Sequence, residues 1–230
     1  MAFSAYKYIR PIQRMMSTTT SALANPTNYR SLNSKQSALL ICDIQEKNRE
    51  AVDHFKDIST VANRLINAAE LLGLKIIATE HQSDHELAHS TPQVRLYERD
   101  IPVLEKTAFS MCIPEVCDTL GVSVDTLVIC GVEAHVCVFQ TALDFLKRGF
   151  YVHVVVDAVS SRSPTDRKYA LKQLKSFGAN LTTAECLMFD AVKDTSNPHF
   201  EKMKQIFLEN PPDTGLLGQC RCPLNGKKCG

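Results

Sequence analysis

The run CGVEAHVCVFQTALDFL, residues 130–146, carries a cysteine into a setting where a thiol can react. An apolar strand runs into Gly131, a tight connection follows, and Cys137 falls in the first turn of an amphipathic helix. A helix N-terminus bears about half a positive charge and unpaired backbone N–H groups, so it favours a thiolate and can hold an oxyanion. Two further residues stand at comparable places. Asp43 ends the apolar run of ALLICDIQEK, where an acid is expensive without a partner, and Lys106 in VLEKTAFSM lies just past a short strand. An acid, a lysine and a cysteine from three strand ends can converge in one cleft. Asp43 could then accept the thiol proton and later pass it to a leaving group, while Lys106 favours the thiolate electrostatically. The residue types equally fit a buried core Cys137 like Cys130, a turn-capping Asp43 and a solvated ion pair for Lys106.

These residues depend on alternating elements. From Ser37 onward, apolar strand runs at 38–42, 74–79, 103–105, 126–130, 151–156 and 180–183 are separated by helical patterns. Phe55, Ile58, Ala62, Leu65, Ala69 and Leu72 recur at intervals of three and four, one apolar stripe on a helix that stops at Gly73. A second helix over 134–148 is closed by Gly149, and a third opens at Ser163-Pro164-Thr165-Asp166 with a capping serine, a first-turn proline and a third-position acid. Strands apolar on both faces and separated by helices predict a parallel sheet covered on both sides. In such a sheet ligands bind beyond the carboxyl ends of the strands. Asp43, Glu80 and His81, Lys106, residues 131–137 and Asp157 follow five strands in that position.

Composition narrows the classes. A chain of 230 residues with 44% hydrophobic and 22% charged residues suits one globular domain, and no apolar run approaches the roughly 20 residues of a membrane-crossing helix. The net charge of +1 is uneven: residues 1–42 contain Lys7, Arg10, Arg14, Arg30 and Lys35 and no acid, leaving the rest net acidic. That body has no clustered basic face for nucleic acid. Nine cysteines without framework spacing, several inside apolar runs, point to a reducing compartment. The opening 26 residues are basic, Ser/Thr-rich and acid-free. Lys7, Arg10 and Arg14 lie at helical intervals opposite an apolar side, as in a mitochondrial transit peptide. The expected organisation is a presequence over 1–35, a domain over 36–212 and an irregular tail over 213–230. The expected location is the mitochondrial matrix, with the cytoplasm as the alternative.

The segments LLICDIQEK, EKTAFSM, GVEAHVCVFQTALDFLKRGFYVHVVVDAVSSRSPTDR and PPDTGLLG together resemble the isochorismatase-like cysteine hydrolase superfamily, and within it the isochorismatase domain-containing proteins of animals. The resemblance runs co-linearly over roughly residues 36–218. It implies a three-layer α/β/α Rossmann-like fold with a six-stranded parallel sheet, a homo-oligomer, and a catalytic triad on Asp43, Lys106 and Cys137. It further implies a cis peptide between Val132 and Glu133, and an oxyanion hole formed by the backbone N–H groups of Glu133 and Cys137, so that Glu133 acts through its backbone. The implied activity is hydrolysis of a small amide, imide or related acyl compound through a thioester, without cofactor, with a small molecule as the only partner besides its own copies. Cys137 argues against isochorismate itself, since members acting on it are expected to lack the nucleophilic cysteine, and Ala134 stands where many members have Thr.

Some signals lie outside this reading. His81, His85 and His89 recur at four-residue intervals and on a helix would share a face able to hold zinc, but the Asp-x-His pattern of metal-binding nicotinamidase-type members is not reproduced, and no metal is expected. The tail's Cys220, Cys222 and Cys229 form no paired CxxC. SSRSPTDRK lacks the glycine-rich loop of a phosphate site. Two other functional classes remain: a non-catalytic binding or scaffolding protein that keeps the hydrolase fold, and a thiol-redox protein.

Overall fold

The computed structural model describes residues 29–82 and 87–208. The presequence expected over 1–35 falls largely outside them, as do His85, the PPDTGLLG segment and the tail cysteines.

Six strands, β1 (Ser37–Cys42), β2 (Lys75–His81), β3 (Val103–Lys106), β4 (Thr126–Val132), β5 (Tyr151–Ser160) and β6 (Asn180–Thr182), form one sheet in the order β3-β2-β1-β4-β5-β6. Every pairing is parallel. Six helices accompany them: α1 (Phe55–Leu72), α2 (Pro114–Leu120), α3 (Cys137–Lys147), α4 (Pro164–Ser176), α5 (Ala184–Val192) and α6 (Phe200–Leu208). The strand order reverses between β1 and β4, and in sheets of this kind ligands bind beyond the strand ends at that switch point.

The layers follow from alternation along the strands. Leu39 and Ile41 of β1 enter one core with Ile58, Ala62 and Leu65 of α1 and Leu187 of α5. Ala38, Leu40 and Cys42 enter a second core with Val116 of α2, Val138, Ala142 and Phe145 of α3 and Leu174 of α4. Each residue of β1 is thus buried, at 0–1% exposure, on one face or the other. The helix boundaries obey the expected signals. Gly73 ends α1 in the left-handed conformation (φ 66°), its N–H bonded to Ala69 and Glu70 carbonyls. Ser163 Oγ accepts from the Asp166 N–H, with Pro164 as the first residue of α4.

Three expectations are corrected. Strand β5 does not end near residue 156 but runs on to Ser160, after a register shift that places Gly131 opposite Val159. Asp157 therefore lies inside a strand, and its Oδ1 accepts from the Ala184 N–H at the start of α5 (2.9 Å). Burial holds the Asp157 carboxyl above its ordinary value. Glu80 and His81 likewise belong to β2 itself, because β3 pairs alongside as far as His81↔Lys106. Helix α3 starts at Cys137 rather than Ala134, since residues 134–136 form a turn.

Candidate functional site

At the end of β1 the chain turns sharply: Asp43 has φ 49°, in the left-handed region that few non-glycine residues occupy. Its N–H still donates to the Thr79 carbonyl (3.1 Å), and its carboxylate is directed across β2. There Thr79 Oγ1 donates to Asp43 Oδ1 (2.8 Å) and Lys106 Nζ donates to Asp43 Oδ2 (2.6 Å). The two charged side chains are 3% and 0% exposed, so this is a desolvated pair rather than a surface one. Lys106 Nζ also donates to the carbonyls of Ala108 (3.1 Å) and Phe109 (3.0 Å), which uses its three protons. Burial works against the ammonium, but attraction to the groups around it, the Asp43 carboxylate among them, outweighs it and holds the Lys106 pKa above the ordinary lysine value.

Cys137 comes from the other side of the switch point. As the first residue of α3 it sits at the positive end of that helix, 9% exposed, in the same apolar cluster as Cys42. Burial first, then the neighbouring Cys137 thiol and the Asp43 charge, hold Cys42 far above the usual thiol pKa, so it stays a neutral thiol. The connection from β4 begins at Gly131, with φ 123°, where an added Cβ would stand 2.7 Å from the Cys42 carbonyl carbon. Only glycine lets β4 lie this close to the end of β1. The peptide between Val132 and Glu133 is cis, as the resemblance implied. Among the described residues, no backbone carbonyl accepts from the Glu133 or Cys137 N–H. The Glu133 side chain is held apart from that connection: Oε2 accepts from the Arg162 N–H (3.0 Å), and Oε1 lies 3.4 Å from the Arg162 guanidinium.

Asp43 and Lys106 are therefore joined directly, and Cys137 lies in the apolar cluster of Cys42, the residue before Asp43. Val132 and Glu133 lie on the connection that delivers Cys137. At the mouth, the His81 ring stacks on the exposed ring of Phe109 (centroids 5.7 Å, 15°). His81 Nδ1 is buried without a hydrogen-bond partner. Gln45 clamps this edge: its Oε1 accepts from the His81 N–H and its Nε2 donates to the His81 carbonyl (both 3.0 Å).

His89 faces Glu80 (Nδ1 to Oε2, 3.2 Å), whose Oε1 accepts from Tyr97 Oη (2.7 Å). Burial would raise Glu80, but hydrogen bonds from Tyr97, Ser90 and His89 outweigh it and lower its pKa. His81 is on a strand and His89 in an irregular segment, so the two do not share the helix face that their spacing suggested. No group of three or more potential metal ligands occurs among the described residues.

Sequence reasoning missed Thr79, Cys42, Gln45 and Phe109. Thr79 carried a usable signal, being the polar residue inside IIATEH next to the strand that ends in Asp43.

The comparisons with known proteins bear on the family and the fold. The isochorismatase domain matches residues 37–186, from the first residue of β1 into α5. Isochorismatase domain-containing protein 2 of Xenopus laevis is 40% identical over 194 residues, covering 84% of this chain and 93% of its own. Isochorismatase domain-containing protein 1 of Danio rerio is 38% identical over 195 residues, covering 84% and 68%. The solved structure of MAR1 ribonuclease from Caenorhabditis elegans is 43% identical and superposes with a TM-score of 0.76, covering 81% of this chain and 97% of that one. With the domain matched over most of the sheet and its crevice, and relatives of about 40% identity across most of their length, the chain belongs to the isochorismatase-like hydrolase family.

Proposed function

We propose that this chain is a cysteine hydrolase of a small amide, imide or related acyl compound, with Cys137 as nucleophile and Asp43 and Lys106 as its partners. The observation that carries the reading is the buried Lys106–Asp43 pair, 2.6 Å apart, placed with Cys137 at the first turn of α3. A desolvated carboxylate–ammonium pair is expensive and adds little to stability over an apolar filling, so its placement beside a thiol favours a chemical role.

In this mechanism Cys137 Sγ attacks the carbonyl carbon as its proton passes to Asp43. Lys106, fixed by two carbonyls, keeps positive potential on both groups. The N–H groups of Glu133 and Cys137 receive the oxyanion; losing one such donor typically costs on the order of 3 kcal/mol of transition-state stabilisation. Asp43 returns the proton to the leaving amine or alcohol, and water then hydrolyses the thioester. The exposed Phe109 ring offers a flat apolar face beside the Lys106–Asp43 pair, suited to a compact planar substrate.

The test is intact-protein mass spectrometry of wild type and Cys137→Ala incubated with small amides, imides and activated esters, with a short RNA as a further arm. The expected result is an adduct on Cys137 alone, with product release. RNA cleavage that survives Cys137→Ala would favour the activity in the name of the Caenorhabditis elegans relative. No adduct and no turnover from the folded protein would favour a binding protein that keeps the hydrolase fold.

A further inference from the structure

A second pair of cysteines lies outside the crevice. Cys112 and Cys117 flank the start of α2, one just before its capping residue Ile113 and the other in its first turns. Both are partly buried against the core formed by α2, α3 and α4. Arg148, at the C-cap of α3, donates from Nη1 to Cys117 Sγ (3.2 Å). A guanidinium aimed at a sulfur holds it as thiolate. The other charges nearby are acids that oppose it more weakly, Asp118 on α2 towards Cys117 and Asp144 on α3 towards Cys112. The neighbouring Cys112 thiol, then Arg148, bring the Cys117 pKa down to about 7, while Cys117 and burial push Cys112 up. The guanidinium on Cys117 divides the roles: Cys117 is the attacking sulfur and Cys112 the thiol that waits.

We propose that Cys117 and Cys112 are a peroxide-reactive thiol pair, Cys117 being oxidised first and Cys112 resolving it into an intrachain disulfide, with Arg148 positioning the Cys117 thiolate. The thiolate of Cys117 attacks one oxygen of hydrogen peroxide, the O–O bond breaks, and Cys117 becomes a sulfenic acid as hydroxide leaves. The sulfur of Cys112 then displaces that hydroxyl as water, forming the S–S bond. Overall two thiols lose two electrons and two protons, and one peroxide is reduced to two waters. The pair ends the segment that begins at Lys106 and carries the Ala108 and Phe109 carbonyls bonded to its ammonium. It shares no residue with the proposed triad.

The experiment uses the full, reduced chain, exposed to graded hydrogen peroxide, quenched with N-ethylmaleimide and digested after glutamate. Cleavage after Glu115 separates the two cysteines, so the disulfide appears as two joined peptides. The expected first product is that cross-link, formed before modification of the exposed Cys186 and unaffected by Cys137→Ser. Cys112→Ser should instead accumulate a dimedone-trapped sulfenic acid on Cys117. Arg148→Gln should raise the midpoint of the Cys117 alkylation–pH profile and slow its reaction at pH 7 about fivefold, the thiolate lost outweighing the higher nucleophilicity of what remains. The proposal is overturned if Cys117 oxidises no sooner than Cys186, or if its sulfenic acid persists while Cys112 stays free. An unchanged profile in Arg148→Gln removes Arg148 from it.

Discussion

Lys106 Nζ reaches across β2 to within 2.6 Å of Asp43 Oδ2, so the ends of β1 and β3, which are not neighbours in the sheet, are joined by one buried ion pair. Removing one member leaves the other charge buried without its partner, and that costs roughly 3–5 kcal/mol. Lys106→Met should therefore lower the urea midpoint strongly. The double variant Asp43→Asn/Lys106→Met should recover much of that loss while remaining inactive. Recovery of stability without recovery of turnover separates the structural cost of the pair from its chemical use; equal stabilities for single and double variants would deny the coupling.

Gly131 is the point at which the switch crevice depends on a missing side chain. A Cβ there meets Cys42 backbone atoms, its nitrogen at 2.8 Å, and φ is 123°. Backbone cannot swing aside as a side chain can. Gly131→Ala should cost about 3 kcal/mol or more, through clash and a disfavoured conformation together. Chemical denaturation measures the loss, whereas Gly149→Ala, with open space around it, should lose less and only through its positive φ.

The three strand ends were legible because buried strands are continuous apolar runs, and a polar residue at the end of such a run is conspicuous. Asp43 and Lys106 stood out in this way, and Cys137 by falling in the first turn of the helix after such a run. The family resemblance then supplied the roles that spacing could not. What stayed hidden were contacts made between distant segments. Asp157 reads as the end of β5 because an acid rarely continues a strand, yet a helix N-terminus 27 residues later supplies the N–H that accommodates it. His81, His85 and His89 have helical spacing, but the pairing of β2 with β3 keeps His81 in a strand. Cys42 reads as one more buried hydrophobe until the β4–α3 connection brings Cys137 against it.

Cys42 and Cys137 should be separable by substitution. Both are buried thiols, and truncating either to alanine removes a similar, small volume, so each should cost on the order of 1 kcal/mol. Their effects on turnover should differ widely. Cys137→Ala removes the proposed nucleophile and should lower kcat by at least about a thousandfold. Cys42→Ala removes only a neutral thiol packed in the same cluster and leaves the nucleophile in place, so it should lower kcat less than about tenfold. Equal losses, measured on the substrate that forms the adduct, would make Cys42 as necessary as Cys137.

The acid limb of stability should depend on His153. It lies in β5, fully buried, with Nε2 donating to the Arg30 carbonyl (2.8 Å), Nδ1 without a hydrogen-bond partner among the described residues, and the Tyr29 ring edge-on at 5.3 Å. Burial lowers its pKa below the ordinary imidazole value; the hydrogen bond to Arg30 and the charge of Asp190 oppose that shift without cancelling it. The folded chain therefore holds a neutral imidazole where the unfolded chain, near pH 6.5, takes up a proton. Stability from this group is fully present above about pH 6.5 and is lost as the pH falls from there through the folded value, with a slope of up to about 1.4 kcal/mol per pH unit. His153→Phe should reduce the difference between urea midpoints at pH 7 and pH 5, whatever its effect at pH 7 alone. An undiminished difference in the variant would assign the acid limb to carboxylates such as Glu80, whose lowered pKa gives the same sign at lower pH.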